Sequence, residues 1–429
     1  MPRRKVHSIA QSAATPAQAW SVVRDFCAPW HPAIARMTPE KTVRGGLVRC
    51  FTVKGEDTQY RERLTYVSDS EMTMAYTHIA GIAGVQTYDA RMTISPASTG
   101  AAITMTADLS APSPRAEEIA AGTQAIFDAG TETVAALAQE AQSAVPQDVA
   151  VAPARTETRL LNDLPRLALT TAGDDGETLC LFLHGIGGNR SNWDAQLAAV
   201  APFCKAASMD LRGYGDSTLG PAQSTIDDYC ADILHIMTAL GADKLVLCGL
   251  SYGAWIATSF AMRHPEKLAG LVLSGGCTGM SEAGADERDS FRLSREVPMN
   301  AGQTPADFAQ AVVDVIAGPS ATDQARAALL ASMQAIPSAT YADALRCFTN
   351  PLETFDFSRL DMPVLLMTGA HDRLAPPAEI KNVAERIWDA SPEPDVRFEV
   401  IADAGHVCNL EQPAAYNTIL SQFLARILS

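Results

Sequence analysis

The serine of the segment GLSYG at 249–253 has the surroundings that a nucleophile needs. The segment directly follows the short apolar run 245–248 and directly precedes a helical pattern. A tight strand-to-helix turn requires small residues beside the serine, so that the serine can adopt a strained backbone and expose its hydroxyl. The helix behind it adds aligned N–H groups and the positive end of a dipole. The pattern predicts that Ser251 is a nucleophile; the alternative is a chance occurrence in a glycine-rich loop.

A serine hydroxyl requires a base and an acid, and two later residues, His406 and Asp372, are candidates for them. Asp372 and His406 each follow a predicted strand. The order serine, acid, histidine along the chain is the one expected when a strand-turn-helix serine belongs to a parallel sheet. Because parallel strands end at the same edge of a sheet, we expect Ser251, Asp372 and His406 to meet there. Two alternatives stay open for the acid: Asp372 is also suited to cap a helix, and Asp403 is a nearby competitor.

The glycine-rich segment HGIGG at 184–188 follows another apolar run. Its glycines let the backbone approach a substrate closely and turn N–H groups toward it. We expect the N–H groups of Ile186 and of Tyr252, the residue after the serine, to form an oxyanion hole. A phosphate-binding loop is the alternative, but the segment has neither the GxGxxG pattern nor a lysine at P-loop spacing.

The elements that must position these residues alternate between strand and helix from residue 157 onward. The apolar runs lie at 179–183, 205–209, 244–248, 268–274, 364–368 and 396–401. Near-continuous apolar strands that alternate with helices predict an α/β fold with a parallel sheet covered on both faces. The stretch at about 277–360 interrupts the alternation and has a helical pattern of mixed polarity. We therefore expect a helical cap over the carboxyl ends of the strands, where sheets of this kind place their sites.

The motifs of this C-terminal part follow one another in a recognisable order. They are HGIGG, DLRGYGDS at 210–217, GLSYGA, GAHDRLAP at 369–376 and AGHVCNLEQP at 404–413. In order and spacing they resemble the α/β-hydrolase superfamily, and most of all its 3-oxoadipate enol-lactonases, small-ester hydrolases and C–C bond hydrolases of ring-fission products. The resemblance implies a serine hydrolase that cleaves a small, partly apolar carboxylic ester or lactone through an acyl-enzyme. Leu250 stands where the C–C hydrolases usually carry asparagine, which weakens that alternative.

Side chains of the predicted cap are candidates for contact with the substrate. We expect three apolar side chains and one arginine to bind it: Met280, Phe291, Phe348 and Arg292. Core packing is the alternative for the apolar residues. Arg190 and Arg295 are further candidates for binding a substrate carboxylate, and for each arginine the alternative is a solvated surface position.

The first part of the chain has a different pattern. It shows mainly period-two runs, a short helical pattern after Pro16 and a long one after Pro114. A curved sheet that grips a long helix buries such faces and tends to enclose a cavity. Three stretches and the long helix resemble the helix-grip domains of the START/Bet v 1 superfamily, also called SRPBCC or polyketide cyclase-like. The stretches are TPAQAWSVVRDFCAPW at 15–30, GGLVRCF at 45–51 and RERLTYV at 61–67.

This second resemblance implies an α+β domain with an apolar ligand pocket rather than a particular chemistry. No catalytic cluster is apparent in its sequence. The stretch EAQSAVPQDVAVAPARTET has no sustained period and is typical of a linker. We therefore expect a helix-grip domain at 1–142, a linker at 143–156 and a hydrolase domain at 157–429.

The composition limits the partners of the protein. The chain has 429 residues, with 33 Lys and Arg against 49 Asp and Glu and a net charge of −16. Such a field repels phosphate backbones and anionic lipid surfaces, so neither nucleic acid nor a membrane is an expected partner. No apolar run reaches the roughly 18–20 residues of a membrane span. A small-molecule ester or lactone is the expected partner, an apolar ligand is expected in the first domain, and a homo-oligomer is left open.

The cysteines and histidines also bear on cofactors and location. The nine cysteines are dispersed and form no CxxC pair, which favours reduced thiols in a cytoplasmic protein. No cluster of histidine, cysteine and aspartate has the spacing of metal ligands, so we expect neither a metal nor another cofactor.

Three functional alternatives stay open. A C–C bond hydrolase would use the same three residues on a vinylogous diketone. A ligand receptor on a hydrolase fold would keep the pocket and turn over slowly. Finally, the first domain itself could be the catalytic one, as a cyclase or aromatase.

Overall fold

The computed structural model describes residues 2–42, 46–141, 155–173, 176–350 and 353–428. It divides into two compact units, one of Met1–Gln147 with Glu393–Glu399 and one of Asp148–Pro392 with Val400–Ser429. The predicted linker at 143–156 lies outside the described residues except for 155 and 156, and so does residue 45 of the GGLVRCF stretch.

The first unit is an antiparallel sheet with one long helix. Its strands lie side by side in the order β2-β3-β4-β5-β6-β7-β1, each pair antiparallel. The elements are β1 (Arg3–Ser12), α1 (Pro16–Val23), β2 (Ile34–Lys41), β3 (Leu47–Val53), β4 (Gln59–Ser68), β5 (Thr73–Ala80), β6 (Thr87–Pro96), β7 (Ala101–Ser110) and α2 (Arg115–Glu140).

The two helices of this unit form for identifiable reasons. Helix α1 begins with a capping box between Thr15 and Gln18 and has proline in its first turn, where a missing N–H costs nothing. Helix α2 buries one side at helical spacing against the sheet. The buried residues of that side include Ile119, Thr123, Phe127, Thr131, Val134 and Ala138. The unit thus has the strand-rich architecture and terminal helix expected from the sequence.

The rest of the chain alternates strands and helices. The elements after residue 155 are β8 (Thr156–Leu161), β9 (Leu167–Ala172), β10 (Thr178–Leu183), α3 (Asp194–Val200), β11 (Lys205–Met209), α4 (Ile226–Ala239), β12 (Lys244–Leu250), α5 (Tyr252–Arg263), β13 (Leu268–Ser274), α6 (Ala285–Asn300), α7 (Pro305–Ile316), α8 (Asp323–Gln334), α9 (Ser338–Thr349), β14 (Val364–Gly369), α10 (Pro377–Ala390), β15 (Val396–Ile401), α11 (Cys408–Glu411) and α12 (Pro413–Leu428).

The sheet of the second unit has the order β14-β13-β12-β10-β11-β9-β8. Strands β10 to β14 pair in parallel, and β9 and β8 close the far edge in antiparallel pairing. The central strands are almost wholly buried, which is why they are apolar at nearly every position instead of alternating.

Four helices, α6 to α9, lie between β13 and β14, within the segment where the sequence predicts a cap. The parallel strands β10, β12, β13 and β14 run in one direction, so the loops after them leave the sheet at one edge. In the described ranges, no helix combines the length and the apolar character that a membrane crossing requires.

Candidate active site

Ser251 occupies a strained turn between β12 and α5. Its φ of 54° and ψ of −113° lie in a region that residues other than glycine rarely adopt. The two flanking glycines are required by close packing. A Cβ on Gly249 would lie 2.2 Å from the carbonyl oxygen of Gly253, and a Cβ on Gly253 would lie 2.3 Å from that of Leu183. The turn therefore has the geometry expected from the GLSYG segment, with strain concentrated at the serine.

The main chain of Ser251 is tied to the neighbouring strand, since its N–H donates to the carbonyl oxygen of Ser274 at 2.8 Å. Its side chain faces a cavity, and the hydroxyl makes no hydrogen bond with another described residue. The serine is thus held by its backbone and leaves its hydroxyl available to a bound molecule.

Asp372 and His406 form a buried pair. The imidazole Nδ1 lies 2.9 Å from Oδ2 and 3.1 Å from Oδ1 of Asp372. The carboxylate also accepts the N–H groups of Leu374 at 2.8 Å and Ala375 at 2.9 Å. With Nδ1–H donated to the carboxylate, Nε2 is left as the basic nitrogen of the ring.

The ionised form of Asp372 is favoured despite its burial. Burial by itself raises the pKa of this carboxyl, but the hydrogen bond and charge of His406, together with the two backbone N–H groups, lower the pKa below its ordinary value. Asp372 does not cap α10, which begins only at Pro377. Asp403, the competing acid, is exposed on a turn with a φ of 60°.

Gly275 and Gly276 bring the imidazole and the serine to the same place. A Cβ on Gly275 would lie 3.2 Å from Nδ1 and 3.3 Å from Cε1 of His406, and a Cβ on Gly276 would lie 3.4 Å from the Cα of Ser251. Both Ser251 and His406 line the same cavity. The structure therefore brings together the three residues that the sequence singled out, while their catalytic roles remain a prediction.

The HGIGG loop lies against the serine. A Cβ on Gly185 would lie 3.4 Å from the Cβ of Ser251, and the N–H of Gly188 donates to the carbonyl oxygen of Gly185 at 2.9 Å. Tyr252 begins α5, so its N–H has no acceptor within the helix. Ile186 lines the cavity beside Ser251. The two N–H groups named as oxyanion donors thus belong to segments that flank the serine.

His184 and Tyr214 hold this loop, a role that the sequence analysis did not assign. The N–H of Leu211 donates to His184 Nε2 at 3.1 Å, so Nδ1 carries the proton and donates to the carbonyl oxygen of Gly185 at 2.8 Å. Burial lowers the pKa of His184, which keeps the ring neutral. The hydroxyl of Tyr214 donates to the carbonyl oxygen of Ile186 at 2.9 Å. The position of His184 at the end of an apolar strand is the sequence signal that could have indicated this role.

The DLRGYGDS segment is organised around Asp210, which is completely buried. Its carboxylate accepts the N–H of Arg190 at 2.8 Å and the N–H of Asp216 at 3.0 Å, and it also pairs with the Arg190 guanidinium. Arg190 additionally pairs with Asp216 at 2.6 Å. Since its charge is already matched by two carboxylates, Arg190 stabilises the loop and is not a free anion-binding group.

A cavity of about 830 Å³ lies between the strand ends and the four cap helices. Met280, Phe291 and Phe348 line it, whereas Arg292 does not. Contact of the three apolar side chains with the substrate stays a prediction. The guanidinium of Arg292 pairs instead with Asp289 at 2.7 Å and Glu296 at 3.3 Å on its own helix. Arg295 lines the cavity instead, on the same side of α6 as Phe291.

The first unit contains a buried polar row that the sequence analysis missed. Arg49 pairs with Glu62 at 2.7 Å, and the two face each other across β3 and β4. Glu62 faces His78 across β4 and β5, and the rings of His78 and Tyr88 lie 6.0 Å apart. The absence of a catalytic cluster from this domain stays a prediction, since these contacts show a polar row and not a reaction. The residues lie on separate strands, and only the register of the sheet aligns them.

No metal centre is indicated by the part of the chain that the structure describes: none of its groups of three or more His, Cys, Asp or Glu residues could hold a metal ion.

Comparison with known families agrees with this architecture. Residues 180–419 match the model of the alpha/beta hydrolase family, and residues 3–139 match that of the family described as polyketide cyclase / dehydrase and lipid transport. The α/β-hydrolase fold and the N-terminal Bet v 1-like α+β domain expected from the sequence are thereby confirmed.

Individual relatives cover the C-terminal part. A protein of Enterobacter cloacae named as a carbamate hydrolase, RutD, is 28% identical over 274 residues, which is 61% of this chain and 97% of that protein. The 3-oxoadipate enol-lactonase 2 of Acinetobacter baylyi is 23% identical over 261 residues, 61% of this chain and 93% of that protein. The solved structure of a malate-bound thermophilic esterase from Thermogutta terrifontis has 25% identity and a TM-score of 0.55, covering 64% of this chain and 100% of its own.

Proposed function

Since the chain belongs to the alpha/beta hydrolase family, we propose that it is a serine hydrolase that cleaves a small, partly apolar carboxylic ester or lactone. One observation carries the proposal. The strained Ser251 and the imidazole of His406, which is bound to Asp372 at 2.9 Å, line one cavity at the carboxyl edge of the sheet.

The proposed reaction proceeds through an acyl-enzyme. Ser251 Oγ attacks the carbonyl carbon while His406 Nε2 takes its proton, and the same proton then goes to the leaving oxygen. Asp372 orients the imidazole and stabilises its positive charge. The N–H groups of Ile186 and Tyr252 stabilise the oxyanion. Water activated by His406 then attacks the acyl carbonyl and releases Ser251.

The nature of the cavity supports an ester or lactone as the substrate. Its volume of about 830 Å³ accommodates a small molecule, and its walls include Met280, Phe291 and Phe348. Relatives of the chain are named as an enol-lactonase and an esterase. A C–C bond hydrolase remains the second candidate because the same three residues serve that reaction.

We expect a fluorophosphonate to label Ser251 covalently, because this reagent reacts with a hydroxyl that has a neighbouring base. Intact-mass analysis followed by peptide mapping would locate the label. A panel of p-nitrophenyl esters, lactones and vinylogous diketones, assayed with the same preparation, would identify the bond that is cleaved.

The outcomes of this experiment separate the candidates. Turnover of esters or lactones together with a label on Ser251 supports the proposal. Turnover of diketones alone would replace it by C–C hydrolysis, and labelling with a single burst and no sustained turnover would indicate a receptor. A label that maps to a residue other than Ser251 would contradict the assignment of the nucleophile.

We further propose that the domain at 1–142 binds an apolar ligand, independently of hydrolysis at 157–429. The match of residues 3–139 to a family associated with lipid transport supports this. The full chain, with Ser251 blocked by a fluorophosphonate, is expected to bind a fluorescent fatty acid saturably in a titration. An absence of saturable binding would contradict this proposal.

Two further properties also remain proposals. One is a cytoplasmic location, which the nine free thiols support, and the other is a homo-oligomer.

A further inference from the structure

We propose that Arg295 binds a carboxylate of the substrate, so that the natural substrate is an ester or lactone that also carries a free carboxylate. The inference depends on the proposed hydrolase activity and goes further, because it names the chemical class of the part of the substrate that is not cleaved.

One side of α6 forms the rim of the cavity. Residues along it recur at helical spacing: Glu287, Ser290, Phe291, Ser294, Arg295 and Pro298. Glu287 and Arg295 are eight residues apart, which corresponds to about 12 Å along a helix. The rim therefore carries a negative charge at one end of this side and a positive charge at the other.

Arg295 is held in place without a matching charge. Its guanidinium donates to the carbonyl oxygen of Phe291 at 3.0 Å and to Ser294 Oγ at 2.7 Å, and its central carbon lies 4.2 Å from the centre of the Phe291 ring. Among the described residues, no carboxylate forms an ion pair with Arg295. A guanidinium has five N–H donors in a planar fork that fits a carboxylate, so donors remain for a ligand.

A second donor stands beside Arg295. Tyr341 is buried and lines the same cavity. Burial raises the pKa of its hydroxyl and the neighbouring Arg295 partly offsets this, so the phenol stays protonated. A protonated hydroxyl and a guanidinium side by side form a site for an anion rather than for a neutral or cationic group.

The opposite end of the rim repels anions. Glu379 also lines the cavity, and burial, Asp372 and Glu287 together raise its pKa. The negative charges of Asp372 and Glu287 that raise this pKa also repel an incoming carboxylate, whereas the Arg295 guanidinium attracts it. This charge arrangement orients the molecule, with its anionic tail at Arg295 and its ester group directed toward Ser251.

The experiment compares matched substrates in the full-length protein. Monomethyl esters of straight-chain dicarboxylic acids of increasing length are assayed beside their counterparts in which the free acid is a primary amide. We expect kcat/KM to be about 10–100-fold higher for the acid than for the amide at the best length, since a hydrogen bond to a charged group has about this effect. Arg295→Gln should remove the preference for the acid mainly by raising KM. The kcat/KM values for the amide series should stay within about threefold of those of the parent protein.

Three further variants control the interpretation. Arg295→Lys should retain part of the preference because the charge remains. Arg292→Gln changes the arginine one turn away that is already paired with Asp289 and Glu296, so it should behave as the parent protein. Arg373→Gln tests another arginine of the cavity wall, whose guanidinium donates to the carbonyl oxygen of Asp314.

A binding measurement makes the test independent of turnover. Calorimetric titration of dicarboxylates onto Ser251→Ala, with and without Arg295→Gln, should show affinity weakened about 10–100-fold by the second change. The inference is overturned if the parent protein shows no preference for the acid at any chain length of the substrate. It is also overturned if Arg295→Gln lowers kcat/KM equally for the acid and amide series, or if Arg373→Gln alone removes the preference.

The failure of this inference can be distinguished from the failure of the proposed function. Hydrolysis of the neutral esters that depends on Ser251 but shows no acid preference would remove only the role of Arg295. Ester hydrolysis unaffected by Ser251→Ala would remove the proposed function, while dicarboxylate binding at Arg295 would still be decided by the calorimetry.

Discussion

Replacing Ser251 by alanine is expected to lower kcat for ester hydrolysis by about 10⁵–10⁶-fold, because no other group can form the acyl-enzyme. The remaining rate would come from binding and from the oxyanion donors, which the substitution leaves in place. The turn should survive, since the N–H of residue 251 still donates to Ser274. Steady-state assays with the best ester from the panel, together with the melting temperature, would measure both effects.

Ser259→Ala is the matched control for this variant. Ser259 lies two turns further along α5 and is buried, and its hydroxyl has no hydrogen-bond partner among the described residues. Its loss should leave kcat within about twofold, as expected for a hydroxyl that makes no bond. Activity that survives Ser251→Ala and disappears in Glu62→Gln would assign catalysis to the polar row of the first unit, and would contradict the proposed function.

Asp372→Asn is expected to lower kcat by about 10⁴-fold with little change in fold. The amide oxygen can still accept the N–H groups of Leu374 and Ala375, so the loop keeps its shape. The amide nitrogen, however, would donate to Nδ1 of His406, which places the ring proton on Nε2 and removes the base. Assays across a range of pH would measure the loss.

Asp403→Asn provides the comparison for the acid. Asp403 is exposed and has a φ of 60°, a conformation that asparagine tolerates well, so this change should be neutral for both stability and rate. A larger decrease in kcat for Asp403→Asn than for Asp372→Asn would show that Asp403, and not Asp372, is the acid that acts with His406.

The central features of this candidate site could be predicted from the sequence because they depend on local patterns. A serine between small residues, after an apolar run and before a helix, defines the turn at Ser251. Asp372 and His406 each follow an apolar run, and the rule that parallel strands of one sheet end at one edge predicts that they lie close together. The glycines at 249 and 253 are needed for contacts of the turn itself and with the adjacent strand.

Other features were decided only by packing. Arg292 and Arg295 are about 60° apart around an ideal helix, so the sequence cannot say which of them meets the cavity. That choice depends on how α6 packs against α9. At this contact the rings of Phe291 and Phe348 lie 5.9 Å apart, and Arg346 pairs with Glu296 at 2.9 Å.

The amino-acid sequence by itself thus determined the order of the elements, the turn at the serine and the edge of the sheet where the site lies. Only the tertiary structure decided that His184 and Tyr214 hold the HGIGG loop and that Arg49 and Glu62 pair within the first unit. The physical reason is that periodicity along the chain reports which residues share a face of one element. It contains no information on strand register or on helix rotation, which follow from contacts between residues distant in sequence.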